Sequence, residues 1–340
     1  MSNIVCNDSC CGFEIGVLSK GATEHCFSSG LKQLRKGQGI IFGEEKTNIR
    51  SLVNQTNRYN PYCAPSITIL EPIRIKKNIY AIDSSSVKLG ETDDGGIYAA
   101  KCGIVVLSNN TSLHHYKVGP TIFYFTRNTV REANLDTYLS NIILSDHESA
   151  KRLIRVRTER SIQYELAKAN HDSIILLDGS LNASVLESSP HDIKNIVEWC
   201  GVNKNLLMAI AKETNVGFDE RIIYCLKECR SPAYVDLEGY INKIIGNPFG
   251  RTTLVKFGDY YSPILRADIV DPDEEINLAL GSMLDNDCSG LGYPESLRLA
   301  HHISKFTSTE IECLRGHLLC KYKLQNIQKD DNRTKLLGSM

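Results

Sequence analysis

The chain has 340 residues, of which 42% are hydrophobic and 23% are charged, and its formal net charge at pH 7 is −1. A chain of this length can bury a large core, in one elaborated domain or in two. The near-neutral charge does not indicate a protein that binds polyanions over its whole surface, and no run of about 18 apolar residues is present to span a bilayer.

The N-terminal sequence MSNIVCND lacks the basic start and the apolar run of a signal peptide. We therefore expect a cytoplasmic protein without a membrane segment, whose 12 cysteines are reduced. The N-terminal candidates for a zinc site match no standard ligand spacing: Cys6, Cys10, Cys11, His25 and Cys26.

Residues 1–75 show little regular patterning apart from a short amphipathic helix predicted near residues 31–36. We interpret residues 1–75 as an N-terminal extension that wraps the core. The main domain then covers residues 76–325, and residues 326–340 form a polar tail.

A β-rich region follows the extension. The apolar run at residues 80–82 predicts a strand that ends in Asp83. A polar connection and the pair Gly95-Gly96 then signal a hairpin before the run at residues 97–107. Further strands are predicted at residues 114–118 and 121–125. The pattern indicates an antiparallel meander whose first strand carries a carboxylate.

Helices and strands alternate in the second half of the chain. Residues 131–169 contain no proline or glycine and predict a long helix, after which the aliphatic run 174–177 delivers Asp178 to the end of a strand. The remaining elements are predicted at residues 191–200, 205–211, 218–229, 252–257, 264–270 and 294–320. This order predicts an α/β domain with a mixed sheet flanked by helices, as in ribonuclease H-like folds, with N-terminal and mid-chain elaborations.

Asp83 and Asp178 each follow an aliphatic strand, and we expect them to meet at one edge of the sheet. Carboxylate oxygens suit Mg²⁺ or Mn²⁺, and two such ions about 3.5–4 Å apart can stabilise both oxygens of a phosphodiester under attack. Each aspartate also has a structural explanation: Asp83 precedes serines and could cap a turn, and Asp178-Gly179 is a favoured turn pair. The pair is more informative than either member.

The helix before Asp178 offers two candidates for a third carboxylate, Glu159 and Glu165. They are six positions apart, and at about 3.6 residues per turn they point in different directions, so only one can reach a shared metal. The same helix carries a basic run, which is either a solvated face or a phosphate-contacting surface: Lys151, Arg152, Arg155, Arg157 and Arg160.

A set of short motifs occurs in a fixed order: IDSS at residues 82–85, LLDGSL at 176–181, AIAKET at 209–214 and GYPESLRLAH at 292–301. In this order they resemble the NurA nucleases over about residues 80–302. The resemblance implies that the main domain is a NurA-like nuclease domain of ribonuclease H fold. It further implies an enzyme that degrades DNA with Mn²⁺ or Mg²⁺, using two ions.

The resemblance also implies the site. Carried over position by position, the metal ligands are Asp83, Glu159, Asp178 and His301. Glu159 is preferred to Glu165 because the family's glutamate lies further from the aspartate motif, and His301 is preferred to His302 because it directly follows an alanine. Lys212 is expected to contact the scissile phosphate or to orient a ligand, although a surface lysine at a strand end has the same sequence signature.

The family further implies partners and a mode of action. These are DNA, a second copy in a homodimer and a HerA-type hexameric ATPase, in DNA end processing, repair or defence. The implied activity is that of a 5′–3′ exonuclease with endonuclease activity. No G-x4-G-K-[ST] sequence occurs in the chain, so ATP-driven movement would come from the partner.

Two alternatives remain open. Actin-like or sugar-kinase-like ATPases share the opening strand, aspartate and small residues, but they carry a Gly-rich adenosine motif for which residues 246–250 are a poor substitute. A non-catalytic scaffold of the same fold is the second alternative. The retention of all the candidate site residues argues against it.

Overall fold

The fold is described from a computed structural model of the chain, which covers residues 27–42, 66–108, 112–133, 137–181, 190–212, 220–245, 248–271, 275–288 and 290–327. The candidate zinc ligands, much of the predicted extension and nearly all of the predicted tail lie outside these ranges. The three predicted segments of the chain therefore stay predictions.

The described ranges contain both helices and strands. The strands are β1 (Gly39–Ile40), β2 (Ile67–Ile69), β3 (Ile79–Glu91), β4 (Gly95–Ser108), β5 (Ser112–Thr126), β6 (Ile174–Asp178), β7 (Leu206–Ala211), β8 (Ala233–Asp236), β9 (Arg251–Lys256), β10 (Leu265–Val270) and β11 (Gln325–Asn326). The α-helices are α1 (Arg127–Glu132), α2 (Thr137–Ser145), α3 (His147–Ala169), α4 (Pro190–Val202), α5 (Glu220–Glu228), α6 (Glu238–Ile245), α7 (Ile276–Asn286), α8 (Glu295–Ser304) and α9 (Ser308–Tyr322). A 3₁₀ helix, Gly30–Gln33, precedes β1. None of the helices in these ranges is long and apolar enough to cross a membrane.

The main sheet has nine strands in the order β2-β8-β9-β10-β7-β6-β3-β4-β5. β3, β4 and β5 form the predicted antiparallel meander, while β6 runs parallel to β3 and β7 runs parallel to β6. β10, β9, β8 and β2 extend the sheet with antiparallel pairs. The predicted fold class is confirmed, since the core order β5-β4-β3-β6-β7 is that of a ribonuclease H-like fold. β1 and β11 form a separate parallel pair.

Apolar side chains cover both faces of the central strands. Along β3, Ile79 and Ala81 pack in the cluster that includes Leu297 of α8, whereas Tyr80 and Ile82 pack in the cluster that includes residues of α3 and α4. Because alternate residues of a strand point to opposite faces, β3 is held between α8 on one side and α3 on the other. β6 and β7, enclosed in the same way, are nearly continuous aliphatic runs.

The sequence predicted that the strand ends at Asp83. In the structure, β3 instead continues and pairs with β4 as far as Glu91. The serines after Asp83 do not form a turn, because each hydroxyl reaches a helix that packs on the strand. The acceptors are the Arg155 carbonyl and Glu159 for Ser84, the Ser304 carbonyl for Ser85, and the Lys151 carbonyl for Ser86. The polar run is therefore compatible with a strand interior.

The predicted helix at residues 131–169 is divided into parts of α1, α2 and α3. Asp146 interrupts it as the N-cap of α3, where its side chain accepts hydrogen bonds of 3.1 Å from the backbone N–H groups of Glu148 and Ser149. An aspartate is among the preferred N-cap residues, so this boundary carried a sequence signal. The sequence patterns also missed α6, α7 and β8.

Glu310 fastens the start of α9 to the sheet. Its Oε2 accepts a hydrogen bond of 2.8 Å from Lys101, whose side chain is 2% exposed, and its Oε1 accepts one from Lys117. Although burial alone would raise the pKa of Glu310, the hydrogen bonds from these two lysines lower it to about 2. Glu310 is thus charged in the folded protein over nearly the whole accessible pH range.

We predict that Glu310→Gln lowers the free energy of unfolding at pH 7 by about 2 kcal/mol, because it leaves the Lys101 ammonium buried without its carboxylate. The folded pKa lies below the unfolded value of about 4.3, so the contribution is present above that pH and is lost as the pH falls towards 2. Denaturant unfolding at pH 7 and at pH 3 measures both effects.

Glu312→Gln is the matched control on the same helix. Glu312 pairs with Arg315 through a side chain that is 69% exposed, and we expect a loss below about 1 kcal/mol. Equal destabilisation by the two substitutions would contradict the role given to Glu310.

Candidate metal centre

The parallel pairing of β3 with β6 positions two carboxylates. Ile82 lies opposite Leu177 in this pairing, so the next residues, Asp83 and Asp178, lie side by side where β6 ends. Residues in register on neighbouring strands project from the same face of a sheet. Both aspartates therefore lie on the face that α8 covers.

His301, on α8, completes a group of three. Asp83, Asp178 and His301 each offer one potential ligand atom, and these atoms all lie within 4.8 Å of one another. The His301 Nδ1 is 2.9 Å from the Asp83 Oδ2. Asp83 is 4% exposed, whereas the His301 side chain is 50% exposed, so the group opens to solvent on the histidine side.

Ser304 fixes the orientation of Asp83. Its hydroxyl donates a hydrogen bond of 2.8 Å to the Asp83 Oδ2, the same oxygen that faces His301. Ser304 follows His301 by three positions on α8, which places the two side chains on one face of the helix. That spacing is the sequence signal that would have identified Ser304, which the motif comparison did not select.

Lys212 and Tyr293 contact Asp178. Lys212 directly follows β7, and its Nζ lies 2.9 Å from the Asp178 Oδ2 and 5.0 Å from the centre of the Tyr293 ring. The Tyr293 hydroxyl donates a hydrogen bond of 3.4 Å to the Asp178 Oδ1. Burial first, and then the negative charges of Asp178 and Asp83, raise the pKa of Tyr293. The phenol therefore remains a hydrogen-bond donor to Asp178.

Glu159 lies beside this group and not within it. Its carboxylate accepts hydrogen bonds from Ser84 and, at 2.8 Å, from the Gln163 side chain. Ser84 follows Asp83 and points to the opposite face of the sheet, so Glu159 approaches from the α3 side. Burial raises the pKa of Glu159, and the positive charges of Arg155 and Arg160 act against that rise.

The alternative candidates occupy neighbouring positions. Glu165 lies about 9 Å further along α3 than Glu159, at a rise of about 1.5 Å per residue. His302 is exposed, and its ring centre lies 6.2 Å from that of His301. The contact with Ser84 brings Glu159 next to Asp83, but a ligand role for Glu159 stays a prediction.

Asp268, on β10, holds the turn that follows Asp178. This buried carboxylate accepts hydrogen bonds from the Ser180 hydroxyl at 2.6 Å and from the Leu181 N–H at 3.0 Å. Arg266 donates to it from the same strand at 2.9 and 3.1 Å, and Thr252 donates to it at 2.7 Å. These hydrogen bonds to Asp268 hold the turn after β6 in place. The sequence motifs did not reveal that Asp268 supports the candidate site.

The donor set fits a divalent cation. Two carboxylates and one imidazole converge, and carboxylate oxygens are the ligands that Mg²⁺ and Mn²⁺ prefer. Two neighbouring carboxylates on one face repel each other, which a cation between them would relieve. Lys212 supplies a positive charge to Asp178, but its own side chain is half exposed to solvent.

A model of the NurA domain family matches residues 77–306, more than half of the chain. No curated protein sequence matches the chain.

Several solved structures are similar to the chain. The NurA nuclease from Sulfolobus solfataricus is 14% identical, with 76% of this chain and 88% of that chain covered and a TM-score of 0.47. The catalytic domain of human endonuclease V is 12% identical, with coverage of 76% and 92% and a TM-score of 0.41. Ciona intestinalis endonuclease V in complex with DNA is 13% identical, with coverage of 72% and 92% and a TM-score of 0.39. At these values the likenesses carry no functional argument.

We predict that Asp268→Asn lowers the free energy of unfolding by about 3 kcal/mol, because it leaves the Arg266 guanidinium buried without its counter-charge. The two side chains are 0% and 7% exposed. Chemical denaturation of the purified variant measures the loss.

Asp236→Asn provides the comparison, since Asp236 also pairs with an arginine, Arg251, at side-chain exposures of 33% and 37%. We expect it to cost less than about 1 kcal/mol. A loss as small as this for Asp268→Asn would show that the buried pair does not hold the turn.

Proposed function

The chain belongs to the NurA family, and from this premise we propose that it is a nuclease that hydrolyses DNA phosphodiester bonds with the help of divalent cations. One observation carries the proposal: Asp83, Asp178 and His301, which lie far apart in the sequence, converge within 4.8 Å at one edge of the sheet. A non-catalytic scaffold of the same fold has no need for this convergence.

Asp83, Asp178 and His301 are the proposed ligands, with Glu159 as the fourth and Mn²⁺ or Mg²⁺ as the ions. When bound, a pair of such ions stabilises the attacking and leaving oxygens of the phosphodiester. Asp83 sits between Glu159 on the α3 side and His301 on the α8 side. Candidate ligands from both helices therefore approach Asp83.

The surrounding residues hold these groups in place. Ser304 keeps Asp83 in one orientation through its hydrogen bond of 2.8 Å. Tyr293 and the turn held by Asp268 do the same for Asp178. A metal site works only when its ligands are fixed by such supporting contacts, because small displacements weaken binding and chemistry together.

Lys212 is proposed to contact the scissile phosphate. Its side chain is 49% exposed and its ammonium lies at the Asp178 carboxylate, on the solvent side of the proposed ligands. A cation on Asp178 would compete with Lys212 for that carboxylate and leave the ammonium to pair with a substrate phosphate. An ammonium serves such a role as a compact point charge.

The family resemblance is the basis for a more specific proposal about the reaction and its partners. We propose a 5′–3′ exonuclease with endonuclease activity that acts as a homodimer with a HerA-type DNA-translocating ATPase. The near-neutral net charge of −1 supports delivery of the DNA by such a partner, since the chain has no overall positive charge to attract DNA. The ATPase alternative has no support from the family match.

We predict that the purified chain degrades linear DNA in the presence of Mn²⁺, and that Asp83→Asn and Asp178→Asn each reduce the rate at least about 1,000-fold. Loss of a ligand removes several kcal/mol of charge stabilisation in the transition state, and about 4 kcal/mol corresponds to that factor. Gel assays of labelled DNA with and without EDTA measure the rate.

Asp172→Asn is the control, because Asp172 pairs with Lys77 at the opposite end of β6, and the rate should not change. Undiminished cleavage by Asp178→Asn would reject the proposed centre. ATP hydrolysis by the isolated chain should be absent, and robust turnover would favour the ATPase alternative.

We further predict that His301→Ala lowers the Mn²⁺ affinity more than about tenfold, whereas His302→Ala leaves it unchanged, because only His301 faces Asp83. Glu159→Gln should likewise lower the affinity and Glu165→Gln should not. Calorimetric titration with Mn²⁺ in the absence of DNA separates the members of each pair. An equal effect of both members would reject the assignment for that pair.

A further inference from the structure

Among the described residues, one edge of β3 has no continuous strand partner just beyond the candidate metal centre. β6 pairs with β3 only from Ile79 to Ile82, whereas β3 continues to Glu91. Within the described ranges, the other backbone pairing on that edge is a single bridge between Ile41 and Glu91, at the far end. In the part of the chain that the structure describes, the stretch between Asp83 and that bridge therefore has a strand neighbour, β4, on one side only.

Two helices flank this open stretch from the two faces of the sheet. Ser84 and Ser86 bond to backbone carbonyls of α3, and Ser85 bonds to the last residue of α8, Ser304. α3 and α8 therefore flank residues 84–86 from the two faces of the sheet, and Ser85 and Ser86 are partly exposed between them. We call this feature the β3 groove. It begins at Asp83 and His301.

The structure divides the basic run that the sequence places on α3. Lys151 and Arg160 are buried, at 9% and 8% exposure, and belong to the packing of the helix. Arg152 and Arg155 are partly exposed and lie three positions apart, on one side of the helix. Burial, and then the positive charge of Arg155, lower the pKa of Arg152. Arg157 is partly exposed as well, but it lies about 160° around the helix from Arg155, so Arg152 and Arg155 form a pair on one side of α3.

The pair lies on the side of α3 that faces the metal centre. The Arg155 Nη1 is 3.9 Å from the Glu159 Oε2, and the Arg155 side chain is 37% exposed. Arg155 lies about 6 Å and Arg152 about 10.5 Å before Glu159 along the helix axis. The two guanidinium groups thus mark successive turns of α3, leading away from the centre along the groove.

We propose that the β3 groove holds one strand of the DNA substrate, and that Arg152 and Arg155 contact its phosphates as it approaches the metal centre. The proposal rests on the proposed nuclease function and gives that site a path for its substrate. Guanidinium groups match the oxygens of a phosphate through paired hydrogen bonds. At the end of α8, His302 and the following Lys305 are exposed and offer further hydrogen-bond donors.

The test is the salt dependence of DNA binding. A fluorescein-labelled single-stranded oligothymidylate is titrated with the full chain in EDTA at several salt concentrations, so that binding is measured without cleavage. Each phosphate contact to a single strand contributes about 0.7 to the slope of log K against log salt. Arg152→Gln and Arg155→Gln should each reduce the slope by about 0.7, and the double variant by about 1.4.

Arg157→Gln makes the same charge change on the same helix, about 160° away from Arg155, and should leave the slope unchanged. Arg155→Lys keeps the charge and should keep most of the slope. Melting temperatures show that each variant is folded, and the single variants carry the test if the double variant does not fold.

The outcomes separate the two proposals. An unchanged slope in the folded Arg variants, while the unchanged chain binds and cleaves DNA, would overturn the groove and leave the nuclease. If Arg157→Gln reduced the slope as much as Arg152→Gln or Arg155→Gln, that result would also overturn the groove. Failure of the unchanged chain to bind or cleave DNA would overturn both.

Discussion

The parallel pairing of β3 with β6 stops after Ile82 and Leu177, and the candidate site depends on where it stops. Up to that point both strands are apolar and enclosed by helices. The next residue on each strand is an aspartate, so two carboxylates project from one face at the rim of the core. Burying unpaired charge is costly, and the protein meets that cost with His301, Ser304 and Lys212 around the two groups.

The same stop creates a step in the sheet, because β6 ends while β3 continues. α3 and α8, which flank β3 on opposite faces, both reach residues of β3 at this step. Asp83 is reached from the α8 face by His301, and its neighbour Ser84 is reached from the α3 face by Glu159. The candidate site thus has groups from both helical layers of the fold beside it.

Much of this could be predicted from the sequence, for reasons that lie in particular residues. The aliphatic runs before Asp83 and Asp178 are long enough to identify buried strands, and the Gly95-Gly96 pair marks the hairpin. The family resemblance, which the match over residues 77–306 confirms, pointed to His301 as a candidate that no local pattern singles out.

The remaining features could not be predicted because they depend on partners that are distant in the sequence. Three successive serines resemble a turn until the carbonyls of α3 and α8 are present to accept their hydrogen bonds. Asp268 looks like any strand carboxylate until Ser180 and Arg266 meet at it. β8 lies in the part of the sheet beyond β7, and α7 packs in the same core cluster as residues of that part. The apolar residues in both segments show no clear helical or strand periodicity.

The pairing of β1 with β11 has a consequence for how the chain folds during synthesis. Gly39 and Ile40 align with Gln325 and Asn326, so this small sheet joins segments near the two ends of the chain. Contacts between such distant segments are slow to form, because a long loop must close first. On the ribosome, Gly39 and Ile40 gain this strand partner only after residue 326 has emerged, although Ile41 can bridge to Glu91 much earlier. The nine-stranded sheet has its strands available earlier, and the closure of β1 on β11 is the expected last step of assembly.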